Sequence, residues 1–450
     1  MLKKVLSNPL LLQSLWSLIA RFTGVALNFA VILIITNRLP KLAAGDLLLL
    51  MNFVTGIALF SRLGIDQLLI KEVASAHDTH HDFRSHFLKN SFKAVIGLSL
   101  IFIVIWLFLS PTIRSTFFDN NGEISISLSD LMFASIGVLF FNLVILNSTY
   151  LKAIKQTVAG VLSQNALPAI TFIFFMLLFW NSFIQNQHYI NLYTASNILA
   201  GFLAIFLTIH FLKPRFQNKS TDSNIIESPE VPNTLGIIRN SLPLAPISIF
   251  SYLMLFADTL MVGWFLSNDQ VADYSVAAKI SYVILFFLQA LEATIYPRLL
   301  NIYRHKTSQL LSFFWQSTAL VIGVVLSVTL VMYLLSDWLL IAFGEGYIVA
   351  KHALGLLLIA QLLRAASLTF SFMFIIREKV RYLNIILVVA LIINLVCNII
   401  FIKLYGIEGA AIATLIANGV LLLLVLSLFY LKKLLHNINA EMNNSLGKSQ

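Results

Sequence analysis

The residues of this sequence that could do chemistry are charges inside otherwise apolar stretches. The first such stretch is "SLIARFTGVALNFAVILIIT", residues 17–36, and Arg21 is the only charge in it. A charge exposed at the centre of a bilayer costs at least ~2.5 kcal/mol, so it normally faces protein, water or a ligand. Arg21 and Arg364 both lie near the middle of apolar stretches, with no acid nearby in sequence. Each either lines a path for an anionic substrate or pairs with carbonyls at a helix end.

Five further charges lie inside apolar stretches. Arg62 and Asp66 are four residues apart, a spacing typical of an ion pair on one helix face. Asp258 and Lys279 lie on successive apolar stretches and either pair with each other or serve transport. Glu292 lies near a helix end, where it meets a neighbouring arginine or solvent. Because all but one of these seven charges fall on predicted helices 1, 2, 7 and 8, we expect these helices to face a polar cavity.

The candidate residues therefore form three sets. The substrate-path candidates are Arg21, Arg364, Arg62 and Lys279. The candidates for coupling to an ion gradient are Asp66, Asp258 and Glu292. The candidate hinge residues are Pro243 and Pro246 in "NSLPLAPISIF", because proline removes an internal hydrogen bond of a helix.

No catalytic residue, metal site or cofactor is predicted. The run "SAHDTHHDFRSH", residues 75–86, has spacing that could hold a metal, but it is more typical of a solvated loop. The sequence has no glycine-rich phosphate loop and no hydrolase triad, so we expect a protein that is not an enzyme.

The composition requires a membrane around these charges. Of the 450 residues, 59% are hydrophobic and 11% are charged, with a mean hydropathy of +0.87. Soluble domains carry about 25% charged residues. The net charge of +10 comes from basic residues in short loops, which argues against a nucleic-acid partner. The single cysteine, Cys397, excludes a disulfide within the chain.

A membrane-spanning helix needs about 20 apolar residues. Twelve stretches qualify, at 10–37, 47–70, 91–110, 130–151, 158–180, 190–212, 240–266, 274–297, 311–335, 350–376, 382–402 and 409–431. Most loop lysines and arginines then fall on the side of the N-terminus, which places both termini in the cytoplasm. Pro168 is expected to bend the fifth helix.

The stretch "KPRFQNKSTDSNIIESPEVPNT" is typical of a linker between two halves. We predict an N-terminal six-helix lobe at 1–212, a cytoplasmic linker at 213–239, a C-terminal six-helix lobe at 240–431 and a cytoplasmic tail at 432–450. The halves are weakly similar: a shift of 227 positions places Asp46 over Asp273. Parallel repeats of this kind place a substrate site at their interface.

Two stretches resemble a known family. Residues 38–74, "RLPKLAAGDLLLLMNFVTGIALFSRLGIDQLLIKEVA", are similar to the first loop and second helix of Wzx-type polysaccharide flippases. Residues 241–300, which include "ADTLMVG", "VADYSVAAKI" and "YPRL", resemble the helix 7–8 hairpin of the same family. The matched motif positions are Asp46, Gly64, Asp66, Asp258, Gly263, Tyr274, Ala278, Lys279, Pro297 and Arg298. The family belongs to the multidrug/oligosaccharidyl-lipid/polysaccharide (MOP) exporter superfamily.

The resemblance implies an all-α, MATE-like, V-shaped transporter of the cytoplasmic membrane with a central cavity. It implies that the protein flips an oligosaccharide linked to undecaprenyl pyrophosphate, for O-antigen, capsule or exopolysaccharide, by alternating access coupled to an ion gradient. Its partners would be the lipid-linked oligosaccharide, the bilayer, and a polysaccharide polymerase or chain-length regulator. A cationic residue such as Arg21 would replace the hydration of the pyrophosphate.

Four alternatives stay open at this point. A MATE-type drug or metabolite exporter would favour acids in its cavity, whereas four intramembrane cations here outnumber three acids. A lipid II flippase typically has fourteen helices. A membrane polysaccharide polymerase or ligase typically has a large outer loop, and the longest one here, 111–129, is short. Nothing in the sequence excludes a non-transporting assembly partner in a polysaccharide complex.

Overall fold

The computed structural model describes residues 9–75, 81–120, 123–124, 126–184, 188–212, 231–305 and 309–431. Within these residues the chain is almost entirely helical, which confirms the predicted all-α membrane fold. The exception is an antiparallel pair of two-residue strands, β1 (Asp119–Asn120) and β2 (Glu123–Ile124). The chain divides into two compact units, residues 1–252 and 253–450.

The first unit consists of helices that run from the N-terminus into the middle of the sequence. They are α1 (Pro9–Arg38), α2 (Lys41–Arg62), α3 (Ile65–Ser75), α4 (His81–Phe117), α5 (Leu128–Ala153), α6 (Thr157–Asn165), α7 (Leu167–Leu178), α8 (Trp180–Ile184), α9 (Tyr189–Leu212), α10 (Thr234–Ser241), the 3-10 turn Leu242–Leu244 and the first part of α11 (Ala245–Phe265).

The second unit contains the rest of α11 and the helices that follow it. They are α12 (Asn268–Ser281), α13 (Val283–His305), α14 (Leu310–Leu334), α15 (Ser336–Ala342), the 3-10 helix Glu345–Ala350, α16 (Lys351–Ile376) and α17 (Val380–Leu431). Phe314, Phe370 and Phe429 pack together where α14, α16 and α17 meet, with ring centroids 5.0–5.4 Å apart. These aromatic contacts stabilise the packing of the three helices.

Fewer helices of the described residues are long and apolar enough to span a membrane than the sequence predicted. In the described residues, nine helices are long and apolar enough to cross a bilayer, and ten if the bent pair α6–α7 counts as one. The predicted total of twelve is therefore not confirmed. Two features explain the difference. The apolar part of α11, Tyr252–Phe265, is short, and the last two predicted helices form α17, which is interrupted only by non-helical dihedral angles at Gly406.

The second predicted helix is broken near its middle. Leu63 and Gly64 have positive φ angles of 46° and 77°, so α2 ends at Arg62 and α3 begins at Ile65. Glycine adopts this left-handed region without steric cost. A Cβ atom on Gly64 would also lie 2.6 Å from the backbone nitrogen of Ala245. The break therefore packs directly against the 3-10 turn that precedes α11.

The fifth predicted helix is also broken. Helices α6 and α7 meet at an angle of 41°, and Pro168 lies in the first turn of α7. Proline has no N–H to donate to the preceding turn and its ring crowds that turn, which favours a break at this point. The bend predicted at Pro168 is confirmed.

Pro243 and Pro246 lie at a third break. Pro243 belongs to the 3-10 turn Leu242–Leu244, and Pro246 lies in the first turn of α11. Helix α10, before this turn, packs on the first unit through Ile237, which is fully buried beside Leu69 and Phe87. The two compact units divide inside α11, between residues 252 and 253.

Candidate functional site

A buried hydrogen-bond network in the first unit surrounds Arg62. Its Nη1 donates to Oδ1 of Asn142 at 2.6 Å, and Nδ2 of Asn142 donates to the hydroxyls of Ser61 at 2.7 Å and Ser99 at 2.8 Å. Arg62 is only 5% exposed. Three helices, α2, α4 and α5, supply these side chains, and the network satisfies most of the polar atoms that it buries.

The predicted ion pair between Arg62 and Asp66 is present. Nε of Arg62 lies 3.9 Å from Oδ2 of Asp66, across the Leu63–Gly64 break. The distance is too long for a hydrogen bond, so the pair is held by charge attraction alone. The Arg62 guanidinium is thus bound on one side by Asn142 and attracted on the other by Asp66.

A second cation joins this region from α5. Lys152, in the last turn of α5, interacts electrostatically with both Asp66 and Arg21. Its Nζ donates to Oε1 of Gln164 on α6 at 2.5 Å. Arg21 lies on an exposed part of α1. The sequence assigned Lys152 to a loop, so its electrostatic interaction with Asp66 and Arg21 was missed. The helical pattern of the preceding apolar residues was the signal that could have extended the helix to Lys152.

Contacts between α1 and the α6–α7 break bring Arg21 to this position. Nδ2 of Asn28 donates to the backbone oxygen of Asn165 at 2.8 Å, at the point where α6 ends. Gly24, one turn before Asn28, packs against Asn165 where a Cβ atom would collide. The break between α6 and α7 therefore exposes the backbone oxygen of Asn165, which accepts a hydrogen bond from α1. Arg21 lies about one turn before Gly24 on α1, so these contacts also fix its position.

The second unit holds a different kind of cluster around Asp258. Its carboxylate accepts hydrogen bonds from the Tyr274 hydroxyl at 3.0 Å, from Nδ2 of Asn398 at 2.7 Å and from the Thr414 hydroxyl. Nδ2 of Asn398 also donates to Oδ1 of Asn394 at 3.2 Å. Asp258 is 6% exposed, and Oδ1 of Asn398 is buried with no hydrogen-bond partner. A buried carboxylate among neutral oxygens can hold a proton or a small cation.

Arg364 lies beside the Asp258 cluster. Both residues line a narrow pocket, with room for about one water molecule, together with Gln361 and Asn418. Arg364 interacts electrostatically with Tyr282 and with Glu292, which lies on an exposed part of α13. The structure thus brings one substrate-path candidate and one ion-coupling candidate into the same pocket, a proximity that the sequence spacing did not indicate.

Of the two alternatives for Asp258 and Lys279, the pairing of the two side chains is not the one that the structure contains. Nζ of Lys279 lies 5.2 Å from the ring centroid of Phe256, a cation–π contact. Asp258 instead receives hydroxyl and amide donors from α12 and α17. Asp258 and Phe256 are two residues apart on α11 and therefore lie on different faces of the helix. Lys279 contacts the face of Phe256, so it does not reach Asp258.

Part of the histidine run, residues 76–80, lies outside the described residues. In the part of the chain that the structure describes, no group of three or more histidine, cysteine, aspartate or glutamate residues could hold a metal ion.

The fold belongs to a known class of membrane transporters. The lipid II flippase MurJ in an inward closed conformation superposes with a TM-score of 0.69, at 14% identity, over 95% of this chain and 89% of that one. An inward-facing MATE family multidrug resistance transporter of the MOP superfamily also superposes with a TM-score of 0.69, at 18% identity, over 94% and 99% of the two chains. At these identities the likeness establishes the fold, which is that of MOP superfamily transporters.

The model of the polysaccharide biosynthesis protein family matches residues 10–303, so the chain belongs to this family. It is 23% identical over 442 residues to an uncharacterized membrane protein of Methanocaldococcus jannaschii, covering 94% of this chain and 84% of that one. It is also 25% identical over 206 residues to the probable low-salt glycan biosynthesis flippase Agl15 of Haloferax volcanii, covering 44% and 42%. Family and fold together support a flippase or transporter role in the membrane.

Proposed function

We propose that this protein flips an oligosaccharide linked to a polyprenyl pyrophosphate across the cytoplasmic membrane, with both termini in the cytoplasm. The observation that carries the proposal is the excess of positive charge around Asp66 in the first unit, where Arg62 pairs with Asp66 and Lys152 lies within electrostatic range of it. The glycan would serve an O-antigen, a capsule or another surface polysaccharide. A polysaccharide polymerase or chain-length regulator would then use the product.

The charge balance of the first unit favours an anionic substrate. Three basic side chains, those of Arg21, Lys152 and Arg62, share this region with one acid, Asp66. Two like charges held close together in a poorly solvated region repel each other. A pyrophosphate would neutralise the excess charge, because its oxygens can accept from an ammonium and from the planar fork of a guanidinium.

The individual basic residues have different roles in this proposal. Arg21, exposed on α1, and Lys152, held by Gln164, would contact the phosphates directly. Arg62 is buried and bonded to Asn142, so its role would be to position Asp66 and the break in the second helix. Arg364 would supply a further cation in the second unit.

Coupling to an ion gradient would use Asp258. Its carboxylate, the Thr414 hydroxyl and the unpartnered Oδ1 of Asn398 provide oxygen ligands for a proton or a small cation. Asp258 and Arg364 line the same pocket, so an ion bound to Asp258 would change the electrostatic potential at the Arg364 guanidinium. Pro243 and Pro246 would allow the chain to bend where α10 joins α11.

The test is deletion of the gene in its native host, followed by complementation with the wild type or Arg21→Ala. The matched control is Arg38→Ala, which removes an arginine from the end of the same helix, where it stacks on Trp180 at 5.2 Å. We expect loss of surface glycan and accumulation of lipid-linked repeat units in the deletion strain. Wild type and Arg38→Ala should restore the glycan, and Arg21→Ala should not.

A parallel pair of variants tests the second unit. Arg364→Ala should fail to restore the glycan, whereas Arg377→Ala, at the end of the same helix, should succeed. Expression of every variant is matched by quantitative blotting. Unchanged glycan in the deletion strain, together with new sensitivity to cationic drugs, would overturn the flippase proposal in favour of an exporter.

A further inference from the structure

The second unit contains a groove away from the Asp258 pocket. It lies between α14 and α16, has a volume of about 460 Å³ and is lined mainly by apolar atoms. Leu326 and Leu330 on α14 and Ile359 on α16 are about half exposed along it. The volume is within the range of small-molecule sites. We call it the α14–α16 groove.

The floor of the α14–α16 groove depends on a glycine. A Cβ atom on Gly355 of α16 would lie 3.3 Å from Cε2 of Tyr333, so the ring of Tyr333 lies directly against this backbone. Tyr333 is itself 53% exposed. Along α14, the residues from Leu326 to Tyr333 extend the groove over about 11 Å. Tyr333 at one end of the groove and the leucines of α14 along it suit the acyl chain of a lipid whose head group lies at the membrane interface.

The mouth of the groove carries charges of both signs. Lys351 and His352 come from the first turn of α16, and Glu408 comes from α17. Nζ of Lys351 lies 2.8 Å from each carboxylate oxygen of Asp337 on α15. An ammonium has three N–H donors, so one donor of Lys351 remains for a further acceptor. The Lys351 and Asp337 side chains are 40% and 50% exposed, which leaves the mouth accessible.

A polar atom inside the groove also lacks a partner. Thr329 lines the groove one turn from Tyr333, is 8% exposed, and its hydroxyl has no hydrogen-bond partner. A threonine in a helix commonly bonds the carbonyl four residues earlier, as Thr318 does on the same helix. Leaving such a group buried and unpaired is unfavourable, and a polar atom of a bound molecule would satisfy it.

We propose that the α14–α16 groove binds one molecule of an amine-bearing, zwitterionic glycerophospholipid such as phosphatidylethanolamine. Its phosphate accepts hydrogen bonds from Lys351 and His352, and its ammonium donates to Glu408. One acyl chain lies along the leucines of α14, and the glycerol region meets the Thr329 hydroxyl. The charges of both signs at the mouth favour this head group over an anionic one, because Asp337 already neutralises Lys351 and Glu408 repels a second negative charge.

The test is native mass spectrometry of the purified, delipidated full-length protein, titrated with phosphatidylethanolamine or phosphatidylglycerol. Leu330→Trp fills the groove. Leu320→Trp is the matched control, because Leu320 lies on the same helix, is 53% exposed against 56% for Leu330, and does not line the groove. Glu408→Gln removes the charge that selects the amine, and Thr329→Val removes the hydroxyl while keeping the side-chain shape.

We expect wild type and Leu320→Trp to bind one phosphatidylethanolamine more tightly than phosphatidylglycerol. Leu330→Trp should weaken this binding about tenfold, because the indole occupies the space of the acyl chain and removes its apolar contacts. Glu408→Gln should remove the preference between the two lipids. Thr329→Val should weaken binding without lowering the unfolding temperature of the lipid-free protein.

Equal binding of both lipids by wild type, or tighter binding of phosphatidylglycerol, would overturn the proposal. An equal loss of phosphatidylethanolamine affinity in Leu330→Trp and Leu320→Trp would show that the groove binds lipid no more specifically than other lipid-facing surface. That result would also overturn the proposal. Should Leu330→Trp fail to fold, as judged by size-exclusion chromatography, Glu408→Gln decides: an unchanged lipid preference in that variant contradicts the proposed head-group contact. The experiment requires no transport, so its outcome is independent of the flippase proposal.

Discussion

Arg62 and Asn142 are 80 positions apart in sequence, yet their side chains form a buried hydrogen bond of 2.6 Å. The bond joins the end of α2 to the middle of α5, and Asn142 extends it to Ser61 and Ser99. A guanidinium that is buried in a membrane protein requires such acceptors. This relationship explains how the second helix tolerates both a charge and a backbone break at the same level.

The first prediction concerns this bond. Asn142→Ala should lower the stability of the purified protein by about 2–4 kcal/mol, because the Arg62 charge loses its buried acceptor. Thermal unfolding in detergent measures the change. Asn147→Ala is the control on the same helix, since Asn147 is equally buried but bonds only a carbonyl of its own helix, that of Leu143. A similar loss in both variants would show that Arg62 finds another acceptor.

The second prediction separates charge from shape at Arg21. Arg21→Lys should restore part of the surface glycan in the complementation assay, and Arg21→Ala should restore none. Lysine keeps the positive charge but loses the two parallel N–H donors with which arginine binds phosphate oxygens. The glycan is compared on gels at matched expression. Full activity of Arg21→Ala would exclude Arg21 from the substrate path.

The third prediction concerns ion coupling. Asp258→Asn keeps the size of the side chain and removes its charge, so transport should lose its dependence on an imposed ion gradient. The measurement is flipping of labelled lipid-linked oligosaccharide in proteoliposomes, with a sodium or proton gradient present or absent. Asp130→Asn is the control, because Asp130 lies in the first unit, where it accepts from Asn191 at 2.8 Å. Retained gradient dependence in Asp258→Asn would assign coupling to another acid.

The fourth prediction concerns the break between α2 and α3. Gly64→Ala should destabilise the protein by about 1–3 kcal/mol, because the new Cβ would collide with the backbone near Ala245 and because φ at this position is 77°. Gly97→Ala is the control: Gly97 lies inside α4 with no atom near its Cβ position, and alanine there favours the helix. Thermal unfolding should therefore move in opposite directions for the two variants. A neutral Gly64→Ala would show that the 3-10 turn can move away.

The sequence determined the class of the protein and the position of most helices. Long apolar stretches have one stable solution in a bilayer, since every backbone N–H and C=O must be bonded within the segment. The spacing of residues also located the Arg62–Asp66 pair and the bend at Pro168, because both depend on residues that are close together in the chain. The motif resemblance likewise agreed with the family to which the chain belongs.

Only the tertiary structure decided which distant side chains meet. Lys152 interacts electrostatically with Asp66 and Arg21, and Asp258 bonds Tyr274, Asn398 and Thr414 rather than Lys279. Such contacts depend on how each helix is rotated about its axis and where it breaks, and a nearly uniform apolar pattern does not encode that rotation. The break at Gly64 shows the same limit, because it is required by a backbone contact with a segment about 180 residues away. The spacing of residues determines interactions between neighbours in the chain, whereas the partners of a buried charge depend on the packing of helices that are far apart in the chain.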